Sequence, residues 1–229
     1  MPNLVLSDPL GVHDHDDPGD EVFRRFRFQA SYAAMLAIGI LEDGNEVAEL
    51  YCEQFEDILL QLVSGKFRGI QVKTKADGAQ AFRATDEPIL DSLVRFVELD
   101  LSFPGAFEGY CLASNIPFDR VGKGHGNLPS VLAELRAVDQ FPGCPRAKGL
   151  AKTVVARLKK KVSARRKAAG SKGKGKPDSE APGNPGAAPL AEACAVLAAV
   201  TEADALRVFA KLDIRDDLPK LPDLGSRML

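Results

Sequence analysis

The chain lacks the features of a disulfide framework, a zinc site or a membrane span. Its cysteines, Cys52, Cys111, Cys144 and Cys194, lie far apart and form no Cys-x-x-Cys pair, so we expect reduced thiols. No apolar run approaches the ~20 residues that span a bilayer. The N-terminus also lacks the basic-then-apolar pattern of a secretory signal. These absences predict a soluble, cytoplasmic protein without a membrane partner.

One long segment lacks acidic residues. Between Arg146 and Lys176 there are thirteen Lys or Arg and no Asp or Glu, whereas residues 14–21 are acidic. The formal net charge of −2 therefore conceals a strong local asymmetry. The hydrophobic fraction of 45% and the charged fraction of 27% are ordinary for a globular protein.

The order of the predicted elements indicates an α/β protein. A helix starting at Asp20 or Glu21 is followed by a strand over 47–55, a hairpin, a helix over 87–101, a strand over 107–115 and a helix over 128–140. This order predicts a small mixed sheet flanked by helices. We divide the chain into an N-terminal arm (1–19), a core (20–145), a basic helix (146–169), a flexible Gly/Pro/Lys linker (170–189) and a C-terminal helical segment (190–229) that packs on the core.

Apolar spacing predicts which helix faces are buried. Three- and four-residue steps place one set of side chains of the first helix on a single core-facing stripe: Phe23, Phe26, Ala30, Ala33, Ala37 and Ile40. The same spacing marks the helix over 87–101 through Ile89, Leu90, Leu93, Val94 and Val97, and the basic helix through Leu150, Val154, Val155, Leu158 and Val162. Near the C-terminus, Thr201 and Asp204 have the spacing of a helix N-cap.

The stretch EDILLQLVSGKFRGIQVKTK, residues 56–75, predicts a β-hairpin with polar groups at its open end. Gln71 and Lys73 are two residues apart, so their side chains share one face of a strand. A three-residue loop, Ser64-Gly65-Lys66, would place Asp57 opposite Lys73 on that same face. A loop of two or four residues would turn Asp57 to the opposite face.

Convergence of these three side chains predicts metal-assisted chemistry. A carboxylate and an amide carbonyl are hard oxygen ligands of the kind that Mg²⁺ prefers. A lysine beside the ion could orient or deprotonate a water, while the metal stabilises charge that develops on a phosphate. The alternative is a solvated sheet face with ordinary polar residues, because Gln-x-Lys alone is a weak motif.

Asp57, a spacer of thirteen residues and then Gln71-x-Lys73 resemble the PD-(D/E)xK nucleases, in the variant where Gln replaces the middle acid. More closely, FRRFRFQASYAAMLA (23–37), the hairpin stretch and YCLASNIPF (110–118) resemble the N-terminal endonuclease domain of the SAVED-linked effectors of cyclic-oligonucleotide anti-phage defence (CBASS). Relatives of this domain are encoded beside HerA-like translocases. The resemblance covers about residues 20–120 and extends to FAKLDIRDDLP (209–219).

The resemblance implies a restriction-endonuclease-like core and assigns roles residue by residue. Asp57, Gln71 and the backbone carbonyl of Val72 would hold Mg²⁺, with Mn²⁺ as a second option, and Lys73 would be the catalytic lysine. It also brings neighbouring groups to the site: Gln29, Glu53 and Lys75. Because Gln71 contributes no negative charge, we expect a lower metal affinity than an acid would give.

The function implied is a Mg²⁺-dependent endonuclease that cuts double-stranded DNA with little sequence preference in prokaryotic defence. We expect the basic helix to contact the DNA backbone through Lys159, Lys160, Lys161, Arg165 and Arg166, although a charged solvated face is the simpler alternative. No sensor domain fits within the chain as given, so we expect control by homo-oligomerisation, by a partner such as a second-messenger sensor or a HerA-like translocase, or by a domain that this sequence does not include. Two rival interpretations are a restriction or repair nuclease and a non-catalytic DNA-binding or scaffolding subunit.

Overall fold

The computed structural model describes residues 18–41, 44, 46–53, 56–76, 78–122, 124–137, 144–172, 196–216 and 218. The bounds of its helices are α1 (Pro18–Ile40), α2 (Glu87–Ser102), α3 (Leu128–Arg136), α4 (Pro145–Lys172) and α5 (Glu202–Ala210). The bounds of its strands are β1 (Val47–Cys52), β2 (Ile58–Leu62), β3 (Phe67–Lys73), β4 (Phe107–Ser114) and β5 (Leu212–Arg215).

The strands form one mixed sheet in the order β1-β2-β3-β4-β5. The pairs β1–β2 and β2–β3 are antiparallel, whereas β3–β4 and β4–β5 are parallel. Parallel neighbours need a crossover, and α2 supplies the one between β3 and β4. The predicted α/β class with a small mixed sheet is therefore confirmed.

Helices cover both faces of the sheet. On one face, α1 packs through Phe28 and Tyr32 on a cluster that includes Ile58, Ile70 and Val72. On the other face, α2 to α5 build the larger core over strand residues such as Leu59, Tyr110 and Leu112. The hairpin is therefore covered on both sides, and Ile58, Leu60, Ile70 and Val72 lie on the face that α1 covers.

The predicted core face of α1 is wrong. Phe23 and Phe26 are 70% and 57% exposed, and among the residues of that stripe only Ala33 is buried. The face that packs on the sheet carries Phe28 and Tyr32, four residues apart. Because α1 is apolar on more than one side, spacing alone could not select the face that the sheet covers.

The stripes predicted for α2 and α4 are confirmed, since all ten of their residues are buried. The two helices are also joined by charge. Glu98 of α2 lies in the core and pairs with Lys161 and Arg165 of α4. Nearer the start of α2, Arg157 bonds to Glu87 and Asp91, with the shorter contact at 2.7 Å. These pairs align α4 along α2.

Several predicted boundaries shift, and one strand was missed. β1 ends at Cys52 instead of residue 55, α3 ends at Arg136 instead of residue 140, and α1 starts at Pro18, inside the predicted arm. Strand β5 lies in the C-terminal segment that was expected to be helical, and it was missed because its pairing with β4 is a long-range contact. The N-cap prediction is confirmed, as Thr201 and Asp204 form a reciprocal capping box.

Parts of the domain division lie outside the described residues. These are residues 1–17 of the arm, residues 173–189 of the linker and residues 190–195 and 219–229 of the C-terminal segment. Residues 170–172, expected to begin the linker, continue α4. Among the described helices, none is both long and apolar enough to cross a membrane.

Candidate active site

The hairpin register differs from the predicted one by two residues. Ile58 pairs with Ile70, so the same register sets Asp57 opposite Gln71 and not opposite Lys73. The loop is Val63-Ser64-Gly65, closed by a hydrogen bond from the N–H of Leu62 to the carbonyl of Lys66 at 2.8 Å. Gly65 has φ +78°, which suits the last position of a three-residue loop. The loop therefore begins one residue earlier than the predicted Ser64-Gly65-Lys66. When the loop moves by one residue, the strand residue opposite each position changes by two. Side chains two residues apart share a face, so Asp57 still lies on the same face of the sheet as Gln71 and Lys73.

Asp57 lies just before β2, and its carboxylate caps the open end of the hairpin. Its Oδ2 accepts a hydrogen bond from the backbone N–H of Val72 at 2.7 Å. On β3, the Nζ of Lys73 donates to the Oε1 of Gln71 at 2.6 Å. The structure therefore brings together Asp57, Gln71, Val72 and Lys73 at one end of the hairpin.

A second acid, Glu56, lies against the same group. Its side chain is buried, and its Oε2 accepts a hydrogen bond from the Nε2 of Gln71 at 2.5 Å. Arg95 of α2 is the nearest cation, with its Nε 3.5 Å from the Oε1 of Glu56. Burial raises the pKa of the Glu56 carboxyl to about 7, although the Gln71 hydrogen bond and the charge of Arg95 oppose that rise.

The chain after β3 is held in place by Asn115. Its side chain accepts from the N–H of Lys75 at 3.0 Å and donates to the carbonyl of Lys75 at 2.9 Å. These two hydrogen bonds extend the β3–β4 contact beyond Lys73, which pairs with Ser114. The Nζ of Lys75 itself bonds to Asp86 at 3.0 Å and lies over the ring of Phe82 at 4.1 Å. Lys75 is thus a structural cation at the edge of the site.

An open cleft adjoins this end of the hairpin. Its lining combines two residues of α1, Arg25 and Gln29, with Lys73 and Lys75 and with residues that precede or begin α2. Gln29, which was expected to border the site, lies in this lining together with Lys73. Three cations in one cleft favour an anionic ligand such as a phosphate.

Other predicted residues lie further from the cluster. Glu53 has an exposed side chain and a positive φ of 56°, and only its backbone N–H reaches towards the site, donating to the carbonyl of Asp57 at 3.2 Å. On α4, the side chains of Lys159, Lys160, Arg165 and Arg166 are exposed and that of Lys161 is half-buried, and Lys161 and Arg165 pair with Glu98. This basic segment runs beside the later part of α2, while the cleft adjoins Pro88 at its start.

Sequence reasoning missed four residues of the site. Arg25 could have been found, because it precedes Gln29 by four residues and so shares its helix face. Glu56 directly precedes Asp57, but nothing in the sequence shows that it is buried. Asn115 and Ser92, whose Oγ lies 3.4 Å from the Oε1 of Gln71, come from distant elements and carry no local signal.

Comparison with known proteins assigns the family. No curated protein and no solved structure matches the chain. The family model described as "Cap4, dsDNA endonuclease domain" matches residues 17–162, which is well over half of the chain and includes every residue of the hairpin cluster. The chain belongs to the Cap4 double-stranded-DNA endonuclease domain family, the nuclease family of the CBASS effectors.

Proposed function

We propose that this domain hydrolyses the phosphodiester bonds of double-stranded DNA with the help of Mg²⁺, with little sequence preference, as an effector of anti-phage defence. Mn²⁺ is the second option for the ion. The proposal includes a restriction-endonuclease-like core, in which β2 and β3 carry the reactive groups. The observation that supports it most is the convergence of Asp57, Gln71 and Lys73 beside a cationic cleft.

The donor set at this position fits a hard divalent ion. The carboxylate of Asp57, the amide oxygen of Gln71 and the backbone carbonyl of Val72 all offer oxygen, which is the donor that Mg²⁺ prefers. Within the described ranges, no group of three or more His, Cys, Asp or Glu side chains could hold a metal. The proposed site therefore combines one acid, Asp57, with two neutral oxygens, which are the amide oxygen of Gln71 and the carbonyl oxygen of Val72.

The bound ion would supply Lewis acidity to the scissile phosphate and to the attacking water. The protein groups would do the rest. Lys73, whose Nζ lies 2.6 Å from the Oε1 of Gln71, would orient the water and place positive charge beside the phosphate. Arg25 and Gln29 of α1 would bind the phosphate from the opposite side of the cleft. Attack of the water on phosphorus would form a new P–O bond and break the bond to the leaving oxygen, and the proton that the water loses would balance the one that the leaving oxygen takes up.

Plasmid cleavage tests this proposal. Supercoiled plasmid is incubated with Mg²⁺ and wild-type protein, Lys73→Ala or the control Lys66→Ala, which changes an exposed lysine of the same hairpin. We expect nicked and linear products from the wild type and from Lys66→Ala, no products from Lys73→Ala, and inhibition by EDTA. Cleavage by Lys73→Ala, or no cleavage by any protein under conditions that promote oligomers, would overturn the role of Lys73.

DNA contact by α4 is also part of the proposal. Lys159, Lys160 and Arg166 would bind the DNA backbone, and Lys161 and Arg165 would contribute the charge that Glu98 leaves uncompensated. Contacts of this kind are independent of sequence and weaken with salt. This agrees with a nuclease of low sequence preference.

Control of the nuclease would come from assembly. An unregulated DNA-cutting enzyme would damage the genome of its own host, so we propose that homo-oligomerisation, a second-messenger sensor or a HerA-like translocase switches the activity on. Sedimentation and cleavage measured on the same sample test this point. A monomer that cuts plasmid at full rate without any partner would contradict it.

A further inference from the structure

The buried acid Glu56 has no part in the chemistry proposed above. Its side chain has no exposed surface, and burying a carboxylate is costly unless it has partners. One of its oxygens bonds to Gln71 at 2.5 Å, and the other lies 3.5 Å from the Nε of Arg95. An acidic side chain kept at such a position calls for a role.

Gln71 differs from an acid in that its two terminal atoms are not equivalent. Only its Oε1 can bind a cation, so the amide must have one orientation. Its Nε2 donates to Glu56, while its Oε1 accepts from Lys73 at 2.6 Å and lies 3.4 Å from the Oγ of Ser92. A carboxylate accepts hydrogen bonds and an ammonium group only donates them. Both neighbours therefore select the same orientation of the amide.

The position of Glu56 is itself fixed by packing. Gly69 of β3 lies directly against it, and a Cβ at position 69 would lie 3.2 Å from the Cγ of Glu56, tighter than ordinary contact. Arg95 of α2 approaches the other carboxylate oxygen, Oε1, whereas Gln71 donates to Oε2. Glu56 can therefore act as a rigid acceptor for the Gln71 amide.

We infer that Glu56 is a positioning residue, which holds the amide of Gln71 with its oxygen towards Lys73 and the metal position. The inference rests on the proposed function. It also explains the residue type at position 71, since an acid there would place two carboxylates in hydrogen-bond contact within the core. Glu56 and Gln71 thus form a matched pair of acceptor and donor.

Direct metal binding tests the positioning role. Mn²⁺ binding to the full chain is measured by titration calorimetry for the wild type, Glu56→Gln and Glu56→Leu, with Glu46→Gln and Glu46→Leu as exposed controls. Loss of a group that orients a metal ligand lowers metal affinity by about 10–100-fold. We expect a loss in that range for Glu56→Leu, and values close to wild type for Glu56→Gln, which keeps an oxygen acceptor, and for both controls.

Two results of the calorimetry would overturn the inference. One is a folded Glu56→Leu protein that binds Mn²⁺ as tightly as the wild type. The other is an equal loss in Glu56→Gln and Glu56→Leu, which would assign the effect to the charge of Glu56 and not to its acceptor atom. Circular dichroism of each variant establishes that it is folded.

A thermal cycle without metal remains informative even if Glu56→Leu does not fold. Melting temperatures are compared in EDTA for Gln71→Glu, Glu56→Gln and the exchanged pair Glu56→Gln/Gln71→Glu. We expect Gln71→Glu to lower the melting temperature by several degrees and the exchanged pair to recover most of that loss. An exchanged pair no more stable than Gln71→Glu would refute the pairing.

The two experiments separate this inference from the proposed function. If the wild type shows no Mn²⁺ binding that Asp57→Asn removes, the proposed metal site fails. The thermal cycle contains no metal, so it still decides whether Glu56 and Gln71 act as a pair.

Discussion

The carboxylate of Asp57 accepts a hydrogen bond from the backbone N–H of Val72 at 2.7 Å. This contact joins the start of β2 to the end of β3, at the place where the sequence resemblance locates a metal ligand. Asp57 therefore closes the hairpin and at the same time presents an oxygen to the site. The structural role and the metal-binding role of Asp57 can be separated by substitution. An Asn at position 57 keeps an oxygen that accepts the hydrogen bond from Val72 but loses the negative charge.

We expect Asp57→Asn to remain folded and to lose Mg²⁺-dependent cleavage. Asp57→Ala should lose cleavage and also about 1–3 kcal/mol of unfolding free energy, because the N–H of Val72 is left without its acceptor. Urea denaturation and plasmid cleavage measure the two effects. Equal stability of the Asn and Ala variants would show that the hydrogen bond does not stabilise the hairpin.

Arg25 should contribute to DNA binding from the cleft. Arg25→Ala removes a cation beside Lys73, so we expect weaker binding of duplex DNA and a shallower dependence of affinity on salt. The control is Arg27→Ala, an exposed arginine on the same helix that does not line the cleft. Fluorescence anisotropy at several salt concentrations measures both. Equal losses in the two variants would indicate a general effect of charge instead of a contact in the cleft.

The basic helix should contain cations that bind DNA and cations that stabilise the fold. Lys159→Ala/Lys160→Ala changes exposed residues and should weaken DNA binding without lowering the melting temperature. Lys161→Ala/Arg165→Ala removes two of the cations that pair with the buried Glu98, leaving Arg95 at 3.7 Å, and should lower the melting temperature. Measuring binding and melting for both pairs separates these effects. If the Lys159/Lys160 pair leaves DNA binding and its salt dependence unchanged, α4 does not contact the DNA.

Asn115 should affect catalysis through the backbone of Lys75. Asn115→Ala removes both hydrogen bonds to that residue, and we expect a fall in kcat larger than any change in KM, because Lys73 loses its fixed position. Asn115→Asp keeps the acceptor for the N–H of Lys75 and should lie between wild type and Asn115→Ala. Steady-state cleavage kinetics provide both constants. A change confined to KM would point instead to a contact with DNA.

Glu98 should make the protein sensitive to acid. Burial alone would raise the pKa of its carboxyl, but hydrogen bonds from Arg165 and Lys161 outweigh that effect and hold the pKa below its ordinary value. A lowered folded-state pKa contributes stability above the unfolded value of about 4.3, and this stability is lost as the pH falls through the folded value. Melting temperatures between neutral pH and about pH 3 should therefore fall more steeply for wild type than for Glu98→Gln.

The control for this prediction is Glu108→Gln, since Glu108 forms an exposed pair with Arg68 at 3.4 Å. Exposed pairs contribute little, so Glu108→Gln should keep the pH dependence of the wild type. Identical pH profiles for wild type and Glu98→Gln would show that Glu98 does not control the acid response.

Sequence by itself determined the main elements and the polar residues that the hairpin carries. Strong local patterns identified α2 and α4 by their apolar stripes, and the β-hairpin by its alternation and its glycine turn. The spacing of Asp57, Gln71 and Lys73 carried the resemblance to a nuclease. Local rules suffice for the faces of these elements, because residues close along the chain share a face through short-range geometry, whereas the hairpin register differed from the predicted one by two residues.

Only the tertiary structure decided the contacts between distant elements. Which face of α1 meets the sheet, the pairing of β5 with β4 and the burial of Glu56 against Gln71 all depend on where other elements pack. Charge and spacing identify candidate groups in a sequence, but burial and distance, which select among them, arise only when the layers pack together.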